Sequence, residues 1–207
     1  MFHNTKKLSV FGVAALAVAL TTACNTQPQH PNQLNAFDGA TYDTLTLAHA
    51  ALTSFRARIS ADLPQYVPVF NQAAGTYNAA YETYATFRLH PAGQAAASAE
   101  IAVLTANIVS LESAFASGMH ANPQTVARVR NKAARMRARA GKNVTISDIL
   151  TELEIAASVA EAIPAAQPYA GIAAVVIDAT NQALAAEEAA AGQPIDLTTL
   201  QPLQPIQ

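Results

Sequence analysis

IAVLTANIVSLESAF, residues 101–115, places Ile101, Leu104, Ile108, Leu111 and Phe115 at steps of three and four. That spacing puts five large apolar side chains on one face of a helix with 3.6 residues per turn, and it does not fit the two-residue period of a strand. Working outward, the same stepping recurs on both sides. Upstream run Leu45, Ala48, Leu52, Phe55, Ile59, and then Phe70, Ala73, Tyr77, Ala80, Tyr84, Phe87. Downstream run Val126, Val129, Ala133, Met136, Ala140; then Ile146, Ile149, Leu150, Leu153, Ala157, Ala160; and last Ile172, Val176, Ala179, Ala183, Ala186. No stretch alternates as a half-buried strand does.

Helix-breaking residues fall between these sets. Pro64 and Pro68 separate the first two, and His90-Pro91-Ala92-Gly93 separates the second from the third. Gly118, Gly141 and Gly192 follow helical runs, where a left-handed cap is expected. Asn122-Pro123 and Thr145 with Asp148 have the spacing of helix starts. Pro164 and Pro168 precede the last run, and three prolines in 193–207 suggest a loose tail. Of 207 residues, 48 are alanine, the strongest helix former and one small enough for helices to approach closely. The expectation is an all-α protein, an antiparallel helical bundle of about five to six helices over residues 38–191, followed by a Pro-rich C-terminal tail, 192–207.

Composition narrows the function classes. Charged residues are 13% of the chain, but 51% is hydrophobic, which opposes disorder. A net charge of −2 excludes an overall basic nucleic-acid binder, and the single cysteine, Cys24, excludes an intrachain disulfide.

Lys6 and Lys7 precede an apolar run of 13 residues, LSVFGVAALAVAL at 8–20. As a helix it would be roughly 20 Å long, short of a ~30 Å hydrocarbon core, so a cleaved export signal fits better than a permanent span. Small residues then lead to the cysteine: Leu20-Thr21-Thr22-Ala23-Cys24. This pattern resembles the signal of bacterial lipoproteins. The family's leucine usually stands three residues before the cysteine; here Thr21 holds that place and Leu20 lies one further back. The resemblance implies a signal peptide at 1–23, lipid attached to Cys24, and, with Asn25 rather than aspartate next, the outer membrane, with the domain facing the periplasm. Residues 24–37 then form the lipidated cysteine and a flexible tether; its uncharged stretch 25–36, NTQPQHPNQLNA, reaches at most ~40 Å.

Catalytic motifs are missing: no Gly-rich phosphate loop, no H-E-x-x-H, no G-x-S-x-G, and no E-x-x-H of di-iron bundles. No catalytic residue, metal ligand or cofactor is assigned. His49, beside the first helix seam, could do acid–base work or simply flank the core. Glu154 and Glu161 could share a face, as solvated carboxylates or part of a metal site. Tyr81 lies beside the aromatic seam of the second helix, where its hydroxyl could meet water or a ligand. Residues 155–177 are nominally long enough to span a membrane, but Glu161, Pro164 and Pro168 favour a buried helix–turn–helix.

Charge is segregated. Seven bases and no acid lie between Glu112 and Asp148; eight acids and no base run from Asp148 onward. Arg128, Lys132, Arg135, Arg139 and Lys142 form one stripe of a basic amphipathic helix. The stripe could pair with the acidic segment, lie on an anionic membrane, or hold an envelope polymer. Interleaved aromatics are absent from 122–143, so nucleic acid is disfavoured. The expected role is structural or binding, with the membrane through the N-terminal lipid, an envelope protein, or an anionic lipid or polymer as partner; an oligomer is compatible.

Overall fold

The computed structural model describes residues 30–119 and 170–207, with the single positions Gln124, Ala127, Asn131, Ala157 and Ala160. The described residues are helical, without strands. Four long helices stand among them: α1 (Ala36–Asp62), α2 (Val67–Leu89), α3 (Gln94–Gly118) and α4 (Ala170–Ala190), with 3-10 turns at Pro64–Tyr66, Pro91–Gly93 and Leu197–Thr199. The fourth and fifth apolar sets fall on 120–169, of which only five single, helical positions are described.

The first three seams read from the sequence lie in the core. Leu45, Leu52, Phe55, Phe70, Tyr77, Tyr84, Phe87, Leu104, Ile108, Leu111 and Phe115 have no exposed surface. Phe55 stacks on Phe115 at 5.0 Å between ring centroids, tying α1 to α3. By length and composition Pro91–Gly118 could cross a membrane, yet 72% of its apolar window is buried, as in the core helix of a bundle.

Close approaches give the helix directions. A Cβ on Gly93 would meet Phe87, and one on Gly118 would meet Tyr66, so α3 starts where α2 ends and ends where α2 starts. Ser54 donates to Asp178 at 3.2 Å, and Ala186 with Ala190 faces Thr46 and His49, so α4 runs against α1.

Two termini differ from expectation. Gly118 is not a left-handed cap; among the described residues only Gly192 has positive φ, at 72°. Gly118 ends α3 where the Tyr66 hydroxyl needs the room of a missing Cβ. The segment after Gly192 is not loose. Ile195, Leu200, Leu203 and Ile206 are buried, because four apolar side chains on a proline-stiffened chain find a furrow to fill.

The start of α1 explains its register. Asn35 caps the helix by accepting from the Asp38 amide at 2.9 Å, and Asp38 accepts from the Leu34 amide at 2.8 Å. This reciprocal closure has the logic of a capping box with Asp in the third helical position. Asp38 is fully buried, and α2 completes its shell: Tyr84 Oη donates to it at 2.8 Å, and Arg88 Nη1 lies 3.6 Å away.

Candidate functional site

Three polar side chains line one face of α1. Tyr42, His49 and Arg56 stand seven residues apart, two helical turns, and so share a face. Each touches the C-terminal segment. Tyr42 Oη donates to the Asp196 carbonyl at 3.4 Å and lies 3.3 Å from Thr199 Oγ1. The Gln201 backbone lies close enough to the His49 ring to favour its protonated form, and Arg56 Nη1 donates to the Gln204 carbonyl.

Across the furrow, α2 offers two asparagines. Asn78 donates to the Leu203 carbonyl at 2.9 Å and accepts from its amide at 2.8 Å. Asn71 does the same for Ile206, at 2.9 and 2.8 Å. A third asparagine, Asn32, clamps Ile195 at 2.9 and 2.6 Å. Each carboxamide satisfies both polar groups of one residue, as a neighbouring strand would, so the segment is buried without a sheet.

An open cleft of about 560 Å³ lies beside the start of this segment, between α1 and the end of α4. Tyr42, Thr46, His49 and Thr199 give it polar edges, and Ala186 and Ala190 part of an apolar wall. His49 is half-buried, with its ring 5.5 Å from that of Tyr77. Burial holds its pKa below the usual histidine value, opposed by the Gln201 backbone. Among the described residues, the polar group recorded as acting on the ring is the Gln201 backbone, and no carboxylate is recorded beside it. Tyr81 is partly buried and packs against the core. Among the described residues, no group of three or more His, Cys, Asp or Glu side chains is placed to hold a metal ion.

A buried pair pins the entry of the chain. His30 Nε2 lies 2.6 Å from Asp43 Oδ1, both side chains out of solvent, and His30 Nδ1 bonds the Gln193 carbonyl. A carbonyl only accepts, so Nδ1 carries a proton, and a second proton lies between Nε2 and Oδ1. Burial raises the Asp43 pKa, against the lowering effect of the His30 hydrogen bond and charge. Residues 30–32, read as flexible tether, are thereby anchored to α1 and to the segment after Gly192.

Cys24 and the stripe Arg128, Lys132, Arg135, Arg139 and Lys142 lie outside the described residues, as do Glu154 and Glu161. The asparagine clamps were missed in the sequence. Their one legible signal is the pairing of Asn71-x6-Asn78 on a helix with the repeat Gln201-Pro-Leu-Gln-Pro-Ile-Gln207. Compared with known proteins, the chain matches no family model, no curated protein and no solved structure.

Proposed function

We propose that this chain is a membrane-anchored, non-catalytic lipoprotein of a bacterial envelope, held at the outer membrane through Cys24 with its helical domain facing the periplasm. The observation that carries the reading is the N-terminal pattern: two lysines, 13 apolar residues, and small residues ending at the lone cysteine. The anchored position of His30 supports it. Five residues lie between Cys24 and His30, and the six steps from one to the other reach at most about 20 Å. The domain end bearing His30, Asp43 and Gln193 would therefore stand close to the membrane surface. Each buried methylene of an acyl chain contributes ~0.8 kcal/mol, so several chains on one cysteine would hold the protein almost permanently.

The role of the domain is structural or binding. Residues 120–169 add further helices, bringing the bundle to five or six. A second reading makes the basic stripe a contact for anionic lipid or an envelope polymer; the segregation of seven bases from eight acids favours it. Mass spectrometry of envelope-purified protein tests the anchor. A diacylglyceryl-modified Cys24 at the mature N-terminus is expected, lost with Cys24→Ala. A free Cys24 thiol overturns the reading. Steep, salt-sensitive binding to anionic vesicles that is lost with Arg135→Glu and Arg139→Glu would support the second reading.

A further inference from the structure

The furrow between α1 and α2 holds Leu200–Gln207 by a repeating arrangement. Asn71 and Asn78 are two α-helical turns apart, about 10.5 Å. Their targets, Ile206 and Leu203, are three residues apart, which in a polyproline II chain is one turn of about 9.3 Å. The two periods nearly coincide, so a heptad-spaced pair on a straight helix reads every third residue of an extended chain. The facing helix keeps the same beat: His49 meets Gln201 and Arg56 meets Gln204, seven residues matched to three. The segment runs along α1 and against α2, as the antiparallel helices require.

The sequence of the segment suits this reading. Pro202 and Pro205 have no amide to satisfy, while Leu203 and Ile206, whose amides are taken by asparagine, send their side chains into the core. The recognised unit is therefore apolar–Gln–Pro, repeated. The polar contacts of the two asparagines and Arg56 go to main-chain atoms, and an identical segment from another molecule would satisfy all of them.

We propose that this furrow is a peptide-recognition site for an extended, proline-rich segment with an apolar residue at every third position, filled in cis by Leu200–Gln207 and open in trans to the same segment of a second copy. Gly192, in the left-handed region, turns the chain out of α4 immediately before the segment. Exchange through that turn would join two copies with every contact conserved.

Two full-chain variants test this by complementation. In one, Leu203→Asp with Ile206→Asp spoils the segment and leaves the furrow intact. In the other, Asn71→Ala with Asn78→Ala spoils the furrow and leaves the segment intact. Each variant alone is expected to sediment as a monomer; mixed, they should form a 1:1 heterodimer. If the aspartates prevent folding, Leu203→Asn with Ile206→Asn takes their place. As an independent readout, a fluorescent peptide of residues 199–207 should bind the segment-spoiled chain. Adding Asn78→Ala should weaken that binding about 30-fold, the loss of two hydrogen bonds. A mixture that stays monomeric beside a peptide that does not bind overturns the proposal, as does peptide binding indifferent to Asn78.

Discussion

Tyr77 and Tyr84 sit two turns apart on the same face of α2, and neither has exposed surface, yet removing their hydroxyls should act in opposite directions. Tyr84 Oη donates to the buried Asp38 carboxylate at 2.8 Å and lies 3.1 Å from the Asp38 carbonyl. Burial raises its pKa, and the neighbouring carboxylate raises it further. Tyr77 Oη is equally buried and has no hydrogen-bond partner among the described residues; burial likewise raises its pKa, with a smaller push from Tyr81. A hydrogen bond to a charged group contributes about 1.5–3 kcal/mol, and an unsatisfied buried hydroxyl costs about 1–3 kcal/mol. Tyr84→Phe should therefore lose about 1.5–3 kcal/mol, lowering Tm by roughly 3–12 °C for a chain of this size. Tyr77→Phe should be neutral or stabilising. Urea unfolding followed by far-UV circular dichroism measures both. A double-mutant cycle with Asp38→Asn should show coupling above ~1 kcal/mol for Tyr84 and within ~0.5 kcal/mol of zero for Tyr77. Equal losses at the two positions would refute the reasoning, since they would make ring packing rather than hydroxyl chemistry the source of the effect.

Leu111→Ala, in the stretch that decides the fold, should cost about 2–5 kcal/mol in chemical denaturation, because the side chain is fully buried. Gly118→Ala gains helix propensity of about 1 kcal/mol, but its Cβ would overlap the Tyr66 hydroxyl and press on Ile172; thermal unfolding should show a net loss of about 1–3 kcal/mol. His49 has a lowered pKa in the folded state. As pH falls through about 6.5, the unfolded chain therefore binds a proton that the folded chain resists, and stability declines. Urea unfolding between pH 7.5 and 5.5 should show this slope, and His49→Gln should flatten it. A variant with the wild-type slope would remove His49 as its cause.

How much was legible divides by the range of the interactions. Helical periodicity is local: Ile101, Leu104, Ile108, Leu111 and Phe115 share a face whatever the rest of the chain does, because 3.6 residues make a turn. The breaks at Pro64 and at Pro91 are local too, since proline lacks the amide that would continue a helix. The N-terminal pattern that resembles a lipoprotein signal and the segregated charges are likewise readable in order along the chain. Tertiary structure decided the rest. Asn71 and Asn78 look like ordinary exposed carboxamides until residues 125 to 135 positions away are laid against them. Gly118 reads as a cap until Tyr66 arrives beside it, and His30 reads as tether until Asp43 and Gln193 close on it. Three prolines in the C-terminal segment oppose a long α-helix there, but they do not specify a loose tail. Whether an extended chain is free or docked depends on a furrow with matching period, and that furrow exists only once α1 and α2 have packed side by side.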